Sequence, residues 1–268
     1  MNNKAINNQD GSYSRGREER WMEGIKLVLT LLTKENKLKS IKILDVGCGN
    51  GFFFKFLNDI AKKRKIDISR IKYFGLDSNP LFRKDIEGIN GKFICCNILN
   101  LSKTTGNEKF DIIIASEIIE HIDETDRFVE EIKKVVKRDG YIYLTTPNLA
   151  AWHCRLMLLF GFQPLPTEVS NISASFGKGI IGKKYYSAGS IHHIRIFTYI
   201  ALREFLQYHG FYIIKAIGSG YRKVDRVFFK KKLIGLAPFI IMILKKTRDC
   251  SSPFGDKNSS NKIINSIQ

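Results

Sequence analysis

Ile43-Leu44-Asp45-Val46-Gly47-Cys48-Gly49-Asn50-Gly51 is an apolar run that closes on three glycines at alternate positions. Upstream it reads as a buried strand over 41–46. Downstream, Phe53, Phe56, Leu57 and Ile60 recur at helical spacing. Glycine lets the backbone turn sharply and come close to a ligand, and the first N–H groups of the helix are free to bind one. The spacing is GxGxG, and Phe52 stands where a dinucleotide fingerprint needs a small residue, which disfavours NAD. Asp77 ends the next strand candidate, Tyr73–Leu76, in position to accept hydrogen bonds from a ribose diol.

Strand and helix patterns alternate outward from this turn. Trp21, Ile25, Val28, Leu29 and Leu32 form a helical stripe before it. After it, Phe93–Cys96 and Phe110–Ala115 read as strands. A helix carrying Phe128, Ile132, Val135 and Val136 follows, with Asp123 as its cap and Gly140 as its stop. Tyr141–Thr145 is the next strand. The alternation predicts a parallel sheet covered on both faces, a three-layer α/β domain. The rhythm breaks at Pro147, and residues 148–195 read as an irregular lid with Trp152, Leu156, Phe160 and Phe162 as its apolar members. Thr198 then caps a helix with Leu202, Phe205 and Leu206 that stops at Gly210. Phe211–Ile217 and Pro238–Leu244 are the last strands. Residues 1–16 and 249–268, polar and poor in apolar side chains, read as flexible ends of a domain spanning 17–248.

The chain has 268 residues, 44% apolar, 12% aromatic and 26% charged, which excludes a wholly disordered protein and suits one domain with extensions. No apolar run reaches the length of a spanning helix, and the polar start lacks a secretory pattern. Five scattered cysteines without CxxC spacing argue against a disulfide framework or a thiolate zinc site, so a cytoplasmic setting is expected.

LDVGCGNG, GLDSNP, FDIIIASEIIEHI and DGYIYLTTPN, in this order, resemble the Rossmann-like class I S-adenosylmethionine-dependent methyltransferases over roughly residues 20–245. EIIEH, TTPN and HIRIFT resemble most the ubiquinone-biosynthesis O-methyltransferases, and also the small methyltransferases of glycan-biosynthesis clusters. The resemblance implies a seven-stranded, mostly parallel sheet with an antiparallel last strand. It implies S-adenosyl-L-methionine on Asp45, Gly47, Cys48, Gly49 and Gly51, with Asp77 and Ser78 at the ribose. Asn97 and Ile98 would meet the adenine, Asn97 standing where the family usually has Asp. Ser116 and Glu117 would complete that site. The implied acceptor is a small or lipid-linked hydroxyl compound. An RNA methyltransferase or a non-catalytic S-adenosylmethionine-binding protein are the alternatives.

Glu117, Glu120 and His121, at i, i+3 and i+4, can share one face of a turn. In the simplest reading Glu117 touches the cofactor, Glu120 is solvated and His121 fixes the loop. In a second, Glu117, Glu120, His121 and His193 hold Mg²⁺ or another divalent ion, as some relatives with an E-x-x-E-H run do. In a third, His121 is a general base alone. His193 is preferred over His192 on the H-I-R-I-F spacing of the relatives, and Arg195 is read either as partner of an acidic acceptor or as one half of a surface ion pair.

Lys and Arg exceed Asp and Glu to give a net charge of +18. Nine of the basic residues fall in 221–248, where Lys230–Lys232 and Lys245, Lys246 and Arg248 flank Leu233–Leu244. That stretch is read as a strand with solvated ends, or as a contact for an anionic membrane that places the protein peripherally at the inner surface. Nucleic acid is a weaker reading, supported by Lys62–Lys65 but by no NPPY-type motif.

Overall fold

In a computed structural model of the chain, residues 11–34, 40–180, 182, 189–221 and 233–246 are described. The strand before the glycine turn is β1 (Ile41–Val46), buried along its length except at Lys42. Its parallel neighbours are β2 (Ile71–Asp77) and β4 (Phe110–Ser116). With β3 (Lys92–Cys95), β5 (Val136–Pro147), β6 (Phe211–Ser219) and β7 (Phe239–Lys246), they form one seven-stranded sheet of order β3-β2-β1-β4-β5-β7-β6. β7 runs antiparallel to both β5 and β6. The expected sheet is therefore present, including its reversed last strand.

Helices cover both faces because both faces of the central strands are apolar. On one side α1 (Gly11–Lys34) and α2 (Phe52–Lys63) bury Ile25, Val28, Leu32, Phe53 and Leu57 against Ile43, Ile112 and Ile114. On the other, α5 (Thr125–Val135) and α7 (Tyr199–Tyr208) bury Phe128, Ile132, Leu202 and Leu206 against Leu44, Ile113 and Leu144. Each such side chain contributes about 1.5–3 kcal/mol. Short helices α3 (Arg83–Glu87) and α4 (Leu101–Thr105) fill the connections near β3. The strand order reverses between β1 and β4, and a sheet of this kind leaves a ligand crevice at that switch point.

Several boundaries differ from the sequence reading. α1 begins at Gly11, inside the arm expected over 1–16, because once a helix is nucleated each added residue gains a hydrogen bond. Asp123 does not cap α5. The N-cap is Glu124, without a side-chain cap bond, and the Asp123 carboxylate instead pairs with Arg195 at 2.8 Å. Gly140 is no helix stop. The chain is already extended at Val136, and the register between β4 and β5 shifts there. A Cβ on Gly140 would lie 2.9 Å from the Phe110 carbonyl oxygen, so the glycine is needed for close strand approach.

The lid is not wholly irregular. Trp152–Leu159, free of proline and glycine, forms α6. It closes with Gly161 at φ 74, where the Gly161 N–H donates to Leu158 O (3.0 Å) and the Phe162 N–H to Met157 O (2.7 Å). Those two bonds are a Schellman cap. Among the described residues no helix is long and apolar enough to cross a membrane. Seven of the nine basic residues in the 221–248 stretch read as a membrane or nucleic-acid contact lie outside them, as does the tail 249–268. Of its described lysines, Lys246 donates to Val136 O and Lys245 sits over the Tyr141 ring.

Candidate active site

Three loops meet at the carboxyl ends of β1, β4 and β5. The glycine turn is held by N–H bonds from Gly47 (2.8 Å) and Cys48 (3.0 Å) to Leu76 O, and all three glycines have positive φ. They do different work. A Cβ on Gly47 would stand 2.8 Å from Ile118 Cδ1, and one on Gly51 would stand 2.7 Å from Ile89 Cδ1. Gly49 has no atom of the described residues within 4 Å of its Cβ position. The contact of Gly47 with Ile118 brings the loop after β4 directly beside this open cradle.

Asp45 lies beneath the turn, 4% exposed, and accepts a 2.7 Å bond from the Tyr73 hydroxyl. Burial, opposed by that bond and reinforced by Asp77, pushes its pKa up to about 7. Asp77 accepts from Gly49 N–H at 3.1 Å and from Asn79 N–H at 2.9 Å, which ties the second strand's acid to the glycine turn. Cys48 is buried and its thiol is held above its usual range by desolvation, so it acts as packing and not as a nucleophile. Ser78 follows Asp77 at this rim. Asn97 caps a 3-10 turn over Ile98–Asn100 through the Leu99 N–H (2.9 Å), and Ile98 is buried.

Two helix α1 residues reach the same place: Trp21, read from the sequence only as part of the apolar stripe, and Arg20, which no pattern singled out. The Trp21 indole N–H donates to Ser116 Oγ at 3.2 Å. Arg20 lies 3.8 Å above the Phe239 ring and 3.6 Å from Glu117 Oε2. Glu117 itself has φ 55, a strained value for a residue with a side chain, and accepts from Thr145 Oγ1 at 2.8 Å. Ser116, Glu117, Thr145, Trp21 and Arg20 thus form one connected group facing the cradle.

Glu120 and His121 diverge from Glu117. Glu120 is fully buried, not solvated, and burial together with the nearby Glu117 raises its pKa well above the ordinary carboxyl range. Its Oε2 accepts from Thr146 Oγ1 at 2.9 Å, while Oε1, equally enclosed, has no hydrogen-bond partner among the described residues. His121 Nδ1 is bonded to His192 O at 3.0 Å and His193 Nδ1 to Pro166 O at 2.7 Å. Carbonyl oxygens are acceptors, so both Nδ1 atoms carry hydrogen and both Nε2 atoms keep a lone pair. Burial lowers both imidazole pKa values and keeps the rings neutral.

Glu120, His121 and His193 bring one ligand atom each within 4.8 Å of one another. A buried unpartnered carboxylate oxygen and two oriented, neutral imidazoles are suitable donors for a divalent ion. Glu117 is not part of this cluster, being turned to Arg20 and Thr145. His192 contributes its carbonyl and not its ring. From the lid, Trp152, His153 and Tyr221 continue in ring contacts of 5.6 and 5.8 Å towards Phe239, an aromatic wall ending at Arg20.

The sequence model of a family described as "Methyltransferase domain" matches residues 37–175. The chain belongs to this methyltransferase-domain family. The matched span holds the glycine turn, Asp77 and the Glu117–His121 loop. Among curated relatives, the ubiquinone biosynthesis O-methyltransferase of Pelagibacter ubique is 29% identical over 124 residues, 43% of this chain and 46% of that protein. The mitochondrial ubiquinone biosynthesis O-methyltransferase of Bos taurus is 30% identical over 137 residues, 47% of this chain and 34% of that protein. The methyltransferase-domain chain thus matches less than half the length of either. An S-adenosylmethionine-dependent methyltransferase from Clostridium acetobutylicum shares the fold, with a TM-score of 0.54 at 14% identity, covering 86% of this chain and 92% of that one. So does the magnesium protoporphyrin IX methyltransferase of Synechocystis, solved with bound SAH, with a TM-score of 0.53 at 12% identity over 88% and 86% of the two chains.

Proposed function

We propose that the chain binds S-adenosyl-L-methionine over the glycine turn and transfers its methyl group to a hydroxyl oxygen of a small or lipid-linked acceptor. The observation that carries this reading is the adjacency of two features at the β1–β4 switch point. One is an open glycine cradle backed by Asp45 and Asp77; the other is a pair of neutral imidazoles with free Nε2 lone pairs. The family membership and the names of the curated relatives support it.

Gly49 leaves room for the methionine end of the cofactor, Asp45 orients it, and Asp77 accepts from the ribose hydroxyls. Arg20 offers its cation to the methionine carboxylate, exchanging part of its present contact with Glu117. Ser78, Asn97 and Ile98 border the adenosine end, and Ser116 and Glu117 close the cradle from β4.

The transfer is an in-line displacement. The acceptor oxygen forms a bond to the methyl carbon, the carbon–sulfur bond breaks, and its electron pair returns to sulfur. The acceptor proton goes to His121 Nε2, which burial keeps unprotonated and the His192 carbonyl keeps aimed. Holding oxygen and methyl in line supplies most of the acceleration. In the alternative in which His121 Nε2 is a ligand and not the base, Glu120, His121 and His193 would hold a divalent ion, which would supply a Lewis acid that eases loss of the hydroxyl proton.

Calorimetry with S-adenosyl-L-methionine tests the first half of the reading, and absence of binding at millimolar ligand would overturn it. Incubation with labelled cofactor and a cell extract divided into lipid, RNA and small-molecule fractions tests the second. Label is expected in the lipid or small-molecule fraction, and label confined to RNA would refute the acceptor class.

A further inference from the structure

Two turns of the lid, far apart in sequence, set the two imidazoles. Pro166 O accepts from His193 Nδ1, and His192 O accepts from His121 Nδ1. The first turn is stiff. Pro164 and Pro166 each fix their own φ, and the Thr167 N–H donates to Pro164 O at 3.1 Å. Leu165, between the prolines, is held by Lys178, which is only 1% exposed and whose Nζ donates to Leu165 O at 2.7 Å.

The second turn is strained. His192 stands at φ 56, a value that persists where surrounding bonds over-determine the backbone. Its N–H donates to Ser190 Oγ at 3.1 Å. Ser190 Oγ in turn donates to Glu168 Oε2 at 2.8 Å, and the Ile191 N–H donates to the same oxygen at 2.9 Å. Glu168 is the single acidic residue of 148–195, and hydrogen bonds to a carboxylate are about twice as strong as neutral ones. It stands two residues after Pro166. The segment 166–168 therefore reaches both rings, His193 through the Pro166 carbonyl and His121 through Glu168, Ser190 and the His192 carbonyl.

We propose that Glu168 is a positioning residue for His121: by fixing Ser190 and Ile191 it holds the strained turn whose carbonyl keeps hydrogen on His121 Nδ1 and leaves the Nε2 lone pair for the acceptor proton. The hydrogen bond made by one ring nitrogen of a histidine decides which nitrogen carries the proton, so a ring released from that carbonyl would divide between its two tautomers. The catalytic meaning rests on the reading in which His121 takes the acceptor proton; the relay of bonds does not. Both bonds arrive at one oxygen atom, so the carbonyl oxygen of a glutamine could accept them as well.

The test is long-range proton–nitrogen correlation NMR on the full chain, isotope-labelled at its histidine nitrogens, in mildly alkaline solution. His121→Gln and His193→Gln assign the two rings. Wild type is expected to show both with hydrogen on Nδ1. Glu168→Ala should leave His121 in a mixture of tautomers while His193, held by Pro166, keeps its own; Glu168→Gln should restore the single form. Calorimetry should find affinity for S-adenosyl-L-methionine nearly unchanged in both variants. Label transfer into the cell-extract fractions should fall about tenfold to a hundredfold in Glu168→Ala and recover in Glu168→Gln. Ser190→Ala cuts one bond of the relay and should act in the same direction, which carries the test if Glu168→Ala does not fold. An unchanged His121 tautomer in both alanine variants overturns the proposal. So does equal loss at both rings, or a parallel loss of cofactor affinity, because either would make Glu168 a general support of the lid. Wild type that binds no S-adenosyl-L-methionine would refute the methyl-transfer reading, whereas the tautomers, read without any ligand, still decide the role of Glu168.

Discussion

The main-chain carbonyl oxygen of Glu120 accepts the N–H of Ile194 at 2.7 Å, and it also accepts the Arg195 N–H at 3.0 Å. This clasp joins the loop after β4 to the end of the lid. It is the reason His193, 72 positions away in sequence from His121, lies ring to ring with it at 4.8 Å between centroids. The side-chain pair Asp123–Arg195 lies beside the clasp but is exposed, and exposed pairs contribute about 0–1 kcal/mol. Arg195→Ala is therefore expected to leave folding and ion binding nearly unchanged. A large fall in melting temperature would show that the side chain, and not the backbone, holds the lid.

The ion site gives a sharper expectation. Titration of the chain with Mn²⁺ or Mg²⁺, followed by calorimetry, should show one site that each of Glu120→Gln, His121→Ala and His193→Ala weakens by about tenfold to a hundredfold or more. His192→Asn should bind as wild type, because residue 192 serves through its carbonyl and asparagine tolerates its φ of 56. Glu117→Gln should also bind as wild type. Equal losses at 117 and 120 would mean that the carboxylates act together, contrary to their arrangement here.

Glu120 also predicts a pH dependence without any ion. Its folded-state pKa lies well above the unfolded value, so the folded chain holds a proton that the unfolded chain releases. The resulting stability is present at acid pH and is lost as pH rises towards the folded pKa. Glu120→Gln removes this loss. The variant should match wild type near pH 5 and exceed it increasingly at alkaline pH in melts with chelator, and added ion should favour wild type only. A variant less stable than wild type at every pH would contradict the protonated state.

The fold was legible because β1, β2, β4 and β5 are apolar on both faces and are punctuated by glycine and acidic turns, which periodicity detects directly. Thr198 as a helix cap was equally plain, and its hydroxyl does accept from the Ala201 N–H. Gly140 and Asp123 misled because a glycine that admits a neighbouring strand, and an acid that pairs across space, look in sequence like helix punctuation. The site was legible where its residues follow strand ends. Arg20 and Trp21 were not, because their partners Glu117 and Ser116 lie nearly a hundred positions downstream and nothing local distinguishes Arg20 from the polar run around it. The orientation of Glu120 was hidden for a related reason: in a single turn, spacing alone does not tell which carboxylate points inward.

The glycines separate folding from binding. Gly49→Ala costs about 1–2 kcal/mol for its φ of 50 but meets no atom of the described residues, so its main effect should be on S-adenosyl-L-methionine, whose place the new methyl takes. Gly51→Ala carries the same backbone cost and adds contacts of 2.7 and 2.9 Å with Ile89 and Ile86, for a total of about 2–4 kcal/mol. Melting and calorimetry should thus rank the two variants in opposite order. The same ranking in both would place the cofactor elsewhere.

Asp45 supplies the final expectation. With a folded pKa of about 7 it is largely protonated in mildly acid solution, held there by burial and by Asp77, while the Tyr73 hydroxyl favours the ionised form. The proposed cofactor carries an ammonium group that favours an ionised Asp45, so binding below about pH 7 has to release a proton. Affinity should then fall by up to about tenfold for each pH unit below 7 and level off above it. Calorimetry in buffers of different ionisation enthalpy would show that proton directly. Tyr73→Phe removes the bond that favours the carboxylate, worth about 1.5–3 kcal/mol, and should move the whole profile to higher pH while leaving its slope unchanged. A flat profile in wild type, or a Tyr73→Phe profile that does not move, would mean that Asp45 keeps its charge throughout and does not govern the binding of the cofactor.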